Sequence, residues 1–132
     1  MTEKTDIAQF RGHLIVAWLL TMATILVLSL LPESNSDADL LSPAMANLGH
    51  IPAYGLLALM TILVVSTMVR PTLMVLLATI LAVSAMGAVV EVLQLYVGRT
   101  FSTTDLLADI LGAILAGAGY YSVAAWRRGR SR

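Results

Sequence analysis

Four long runs almost free of charge, at about 13–31, 48–69, 72–97 and 105–126, constrain this chain more than any other feature. A helix rises about 1.5 Å per residue, so runs of this length reach or nearly reach across a hydrocarbon layer of about 30 Å. The remainder does not offset them. At 132 residues, 58% hydrophobic and only 12% charged, the chain is too apolar for an ordinary soluble domain. The expectation is an all-α, polytopic membrane protein: four transmembrane helices in one bundle, forming a single domain over 1–132.

The connecting segments fit that reading. Residues 1–12 mix both charge signs and are expected to form a short tail or interfacial turn. A signal peptide is the alternative for the first run, with Ala44, Met45 and Ala46 as a small-x-small site. An uncleaved helix is favoured, because the run exceeds a typical signal core and the site lies well beyond it. Residues 32–47 hold Glu33, Asp37 and Asp39 without a cation and read as a loop outside the membrane. Pro52 and Pro71 suit helix starts, where a missing N–H costs nothing. The third run is longer than spanning requires and must tilt or project. Gly112, Ala113, Ala116, Gly117 and Gly119 in the fourth allow close helix approach, which makes that helix central.

Cations set the orientation. Lys4, Arg11, Arg70, Arg127, Arg128, Arg130 and Arg132 fall on the side of the termini, and Arg99 alone falls opposite. By the positive-inside rule both termini are expected to be cytoplasmic, with Trp126 as an interfacial anchor. Net charge is zero and no continuous basic face exists, so nucleic acid is not an expected partner. Cysteine is absent, which excludes thiol nucleophiles, thiolate metal sites and disulfides.

That topology brings the polar groups of the last three runs to one level. Glu91 and Gln94 share one helix face, Asp105 and Asp109 share another, and the turn between carries Gly98, Arg99 and the candidate N-caps Ser102, Thr103 and Thr104. His50 and Tyr54 open the second run at the same outer end. Each has a structural reading as well: Asp105 at a helix N-terminus, Glu91 as ion-pair partner of Arg99, Gln94 bonding between helices, His50 and Tyr54 as interfacial residues. Capping and snorkelling do not explain Glu91 and Asp109 together, since charges within spans are costly. A functional pocket is the better account of the set. The methionines are dispersed and read as packing.

These residues resemble the VanZ-like family of small bacterial membrane proteins. The resemblance rests on His50 and Tyr54, Glu91 and Gln94, then Arg99, Ser102 and Asp105 before the glycine-rich last helix, and covers roughly 48–117. The position four after the aspartate is often asparagine in such proteins; here it is Asp109. The resemblance implies a multi-pass protein of the bacterial inner membrane connected with the cell envelope, and the founding member is associated with resistance to the glycopeptide teicoplanin. It implies no mechanism and no cofactor.

On chemistry, the residues leave enzyme and binder open. As an enzyme acting on an envelope lipid or cell-wall precursor at the outer leaflet, the chain would use Glu91, His50 and Asp109 as acid–base groups. Arg99, Tyr54, Gln94, Asp105 and Ser102 would hold the substrate. A divalent cation on Asp105, Asp109, Glu91 and His50 is the less favoured variant. As an accessory or binding protein, it would capture such a ligand without chemistry. A proton-coupled transporter ranks lowest, because alternating-access sites lie near the midplane. No nucleophile elbow, HExxH or phosphate loop names a reaction.

Overall fold

A computed structural model of the protein describes residues 2–31 and 43–130, with side chains described over 8–31 and 49–130. Among the described residues there is no strand. Four helices follow in order: α1 (Thr2–Leu30), α2 (Pro43–Ser66), α3 (Leu73–Gln94) and α4 (Thr103–Arg130), with one 3₁₀ turn (Leu95–Val97) after α3. All four are long and apolar enough to cross a membrane. The bundle is inverted relative to a soluble protein. Glu91, Gln94, Asp105 and Asp109 are buried, while Leu19, Leu20, Leu77, Leu81 and many other large apolar side chains are exposed. Exposed apolar groups cost nothing against lipid, whereas polar groups must find partners inside.

Cross-contacts fix the antiparallel register. At one end the α1 carbonyl of Ser29 meets Gln94 of α3, and His50 of α2 meets Asp109 of α4. Further along, the Trp18 indole N–H donates to Thr61 of α2 at 2.9 Å, and at the far end Ser66 of α2 bonds the Tyr120 hydroxyl of α4 at 3.2 Å. The chain therefore returns to the end where it began.

The α2–α4 contact is the most extensive, and its cause is the loss of two side chains. A Cβ on Gly112 would stand 2.3 Å from the Ile51 carbonyl oxygen and 2.9 Å from the Gly55 nitrogen, both backbone atoms of α2. Only glycine permits that approach, so the small residues of α4 do bring it close to α2. The central helix, however, is α2 and not α4 as its composition suggested: α2 packs against α1, α3 and α4, whereas α4 packs chiefly against α2 and α3. Around this contact Tyr54, Leu57, Ala58, Val83 and Ala113 form the core, joined by Ile25 from α1. Helix α1 is peripheral: 6% of its span residues are buried, against 28% for α3 and for α4.

Several boundaries differ from the sequence reading. Residues 2–12, expected as a tail or turn, continue α1 as helix. Charged residues do not prevent this, because a helix that leaves the hydrocarbon keeps its own backbone bonds. Helix α2 begins at Pro43, so residues 43–47 are helical and Pro52 lies in the helix interior instead of its first turn. Proline at such a position removes one backbone bond, a loss that neighbouring helices in a membrane bundle make tolerable. Glu33, Asp37 and Asp39 of the expected outer loop, the side chains of Ala44, Met45, Ala46 and Lys4, and Arg132 lie outside the described residues. Pro71 precedes the N-cap of α3: the Thr72 hydroxyl accepts the Val75 N–H at 3.3 Å. At the basic end of α4, the Arg130 guanidinium lies 4.3 Å from the centre of the Trp126 ring, a cation–π contact.

Candidate functional site

The site is assembled by the turn between α3 and α4. The regular bonds of α3 end at Gln94, and the chain then tightens through the 3₁₀ turn to Gly98, whose φ of 80° is the left-handed conformation that glycine adopts without strain. The Arg99 N–H bonds the Gln94 carbonyl at 3.0 Å, the six-to-one bond of a Schellman turn with Gly98 at C′. This ties Gln94 and Arg99 together. Their side chains then converge on one acceptor, the Ser29 carbonyl in the last turn of α1, with Gln94 Nε2 at 3.1 Å and Arg99 Nη1 at 3.3 Å. Carbonyls at a helix C-terminus have no intrahelical partner, so the turn satisfies α1 from outside.

Three residues later α4 opens on a shared cap. The Ser102 hydroxyl accepts the Asp105 N–H at 3.2 Å, as an N-cap does, and the Ser102 N–H donates to Glu91 Oε2 at 2.7 Å. In a capping box that second bond comes from the residue three positions into the same helix. Here α3 supplies it through Glu91. The Asp105 carboxyl, relieved of that task, turns towards α2 and brings Oδ2 to 3.8 Å from His50 Nε2.

His50 stands between two aspartates. Its Nδ1–H donates to Asp109 Oδ1 at 2.8 Å, and its ring lies nearly parallel to that of Tyr54, with 6.2 Å between centroids and 8° between planes. A carboxylate at Nδ1 favours the tautomer that keeps its proton there, which leaves Nε2 as the acceptor whenever the ring is neutral. Asp109 is 1% exposed and Tyr54 equally so. Both have room because α3 carries glycine opposite them: a Cβ on Gly87 would lie 2.7 Å from Asp109 Oδ2 and 3.2 Å from the Tyr54 ring. Among the described residues, two carboxylate oxygens of this cluster, Glu91 Oε1 and Asp105 Oδ1, are buried without a hydrogen-bond partner. Unpaired buried polar atoms cost about 1–3 kcal/mol each, so their retention calls for a reason.

A cavity of about 240 Å³ opens beside the cluster, lined by His50, Tyr54, Gln94 and Arg99 with Ser29, Gly49 and Ala53, and walled by Ile25 and Leu28 of α1. The eight residues singled out from the sequence thus divide in two. His50, Tyr54, Gln94 and Arg99 face the cavity; Glu91, Ser102, Asp105 and Asp109 stand behind them and hold the turn and the imidazole. The Glu91–Arg99 ion pair is not formed, since Glu91 serves Ser102 and Arg99 serves Ser29. Among the described residues no three His, Cys, Asp or Glu side chains group as metal ligands.

Sequence reasoning missed Ser29, Gly55 and Gly87. The orphan carbonyls of the last turn of α1 were a signal for Ser29. Gly87, one helical turn before Glu91 on the same face, was a signal of close approach. Comparison with known proteins bears on identity. No curated protein and no solved structure matches the chain. A family model described as VanZ/LLP1 matches residues 13–125, which takes in the second and third spans whole, most of the first and fourth, and every residue of the site. With nearly its whole length matched, the chain belongs to the VanZ/LLP1 family of membrane proteins.

Proposed function

We propose that the protein resides in the bacterial inner membrane with cytoplasmic termini, and that it takes the head group of an envelope lipid or lipid-linked cell-wall precursor into the cavity from the outer leaflet. The observation that carries this reading is the union, in one cavity, of an imidazole held by Asp109 and a guanidinium that, among the described residues, bonds a neutral carbonyl and no carboxylate. Arg99 matches a phosphate or carboxylate. His50 Nε2 then accepts a proton from a hydroxyl or a water whose oxygen attacks the phosphorus or carbonyl carbon held by Arg99; Asp109 stabilises the imidazolium, the bond from that centre to the leaving oxygen breaks, and the same nitrogen returns the proton to that oxygen. The distribution of cations supports the orientation, because Arg11, Arg70, Arg127, Arg128 and Arg130 sit at the end opposite Arg99.

A second reading, capture without chemistry, is favoured by a specific observation: none of the three carboxylates lines the cavity, and Glu91 is committed to a cap. One experiment separates the two. Purified protein is incubated with envelope lipid phosphates and the lipids are analysed by mass spectrometry. An enzyme yields a new lipid species that His50→Ala abolishes while Arg99→Ala weakens binding. A binder yields no new species, and its affinity falls at least about ten-fold with Arg99→Ala alone. Lipid retention unaffected by either change contradicts both readings. A link to glycopeptide resistance is tested by whether expression of the chain, and not of Arg99→Ala, lowers susceptibility to teicoplanin.

A further inference from the structure

Below its polar rim the head-group cavity has an apolar side. Its apolar wall on α1, Leu28 and Ile25, continues on the same helix face with Met22 and Trp18, residues three to four apart. Those two line a second cavity of about 110 Å³ together with Leu57 and Thr61 of α2 and Met86 of α3. From Ser29 to Trp18 the α1 face descends about 16 Å towards the middle of the bilayer. Above lie four hydrogen-bonding side chains; below lies a line of apolar and polarisable groups in which two methionines provide adaptable walls.

The helix that closes this line is the least buried of the four. Among the described residues, its attachment at the site end is through the Ser29 carbonyl, a neutral acceptor at 3.1 and 3.3 Å. A phosphate oxygen accepts more strongly from guanidinium than a neutral carbonyl does. A molecule offering such a group takes the donors over from Ser29 and loosens the attachment of α1 at that point.

Resting on the head-group reading above, we infer that the ligand is a phosphate-bearing membrane amphiphile that enters sideways between α1 and α2. Its head lies against Arg99, Gln94 and His50, and its chain runs along Ile25, Met22 and Trp18. This assigns Met22, Trp18 and Leu57 to chain binding, a task that no polar residue of the site can perform.

The test places the full-length protein in phosphatidylcholine nanodiscs with a small fraction of diazirine-chain lipid. In one arm the labelled lipid is a polyprenyl phosphate, in a second phosphatidic acid, and in a third phosphatidylcholine. Cross-linked peptides are located by mass spectrometry. The inference expects labelling by at least one phosphate monoester lipid to concentrate on the peptide carrying Trp18 and Met22, at least ten-fold over labelling around Leu81, an exposed residue of α3. Unlabelled lipid phosphate should compete and unlabelled phosphatidylcholine should not. Arg99→Ala should abolish the enrichment and leave Leu81 labelling unchanged. Wild-type competition carries the test should that variant misfold. If lipid phosphate is retained in an Arg99-dependent way but its chain labels all exposed faces alike, the chain path is refuted and the head-group reading stands. If phosphate lipids show neither retention nor enrichment over phosphatidylcholine, both fall.

Discussion

Replacing Gly112 by alanine separates the account from a generic bundle of apolar helices. The added methyl would stand 2.3 Å from the Ile51 carbonyl oxygen and 2.9 Å from the Gly55 nitrogen. Both are backbone atoms, so no rotamer change relieves the clash; α2 must back away from α4 by about 1 Å to restore ordinary contact. Overpacking of that kind costs about 1–3 kcal/mol. At roughly 4 °C per kcal/mol for a domain near this size, Tm should fall by roughly 4–12 °C. The same displacement lengthens the His50–Asp109 hydrogen bond from 2.8 Å to beyond bonding distance. Gly119→Ala is the control: nothing lies within 4 Å of its would-be Cβ, and alanine is the better helix former, so that variant should be neutral or slightly stabilised. Thermal unfolding in a mild detergent reads the first effect. The Nδ1 proton resonance of His50, in a background where the exposed His13 is replaced by glutamine, reads the second. Equal stability of the two alanine variants, with the His50 signal intact in Gly112→Ala, would refute the packing argument.

Four further outcomes follow from the same geometry. Glu91→Gln retains an oxygen to accept the Ser102 N–H and should unfold within about 0.5 kcal/mol of wild type, whereas Glu91→Ala leaves that N–H without its acceptor and should cost about 1–3 kcal/mol; equal unfolding of the two would show that the cap is not stabilising. Asp109→Asn keeps an acceptor for His50 but loses the countercharge for an imidazolium, so on the enzyme reading turnover should fall roughly a hundred-fold or more while folded protein remains, as read by lipid mass spectrometry. Gly87→Ala pushes on the Asp109 and Tyr54 side chains and not on a helix backbone, and should impair ligand retention with a smaller loss of Tm than Gly112→Ala. Single cysteines in this cysteine-free chain test orientation: Ser42→Cys should react with an impermeant thiol reagent in intact cells and Ser131→Cys should not.

How far the sequence disclosed this arrangement depended on the kind of signal involved. The four spans were legible because hydrophobic length is a direct demand of the bilayer, and the family was legible from polar residues whose spacing survives without any knowledge of contacts. Helix ends were less so. Residues 2–12 and 43–47 carry polar or mixed composition, which the sequence reading assigned to tail and loop, yet the helices run through them. The convergence of His50, Tyr54, Glu91, Arg99, Asp105 and Asp109 at one end followed from helix length and alternation of direction alone. Their division of labour did not. That Glu91 caps Ser102 and not Arg99, and that Arg99 reaches back to Ser29, depends on the Schellman turn at Gly98 and on a backbone carbonyl, neither of which residue identity reveals.

The most direct test of the central claim is native mass spectrometry of the protein released gently from its membrane, comparing wild type with Arg99→Ala. The account predicts that wild type carries a phosphate-bearing lipid, enriched over its share of the membrane, and that the variant loses it while still migrating as a folded species. Wild type and variant carrying the same lipids, in the proportions of the bulk membrane, would contradict it.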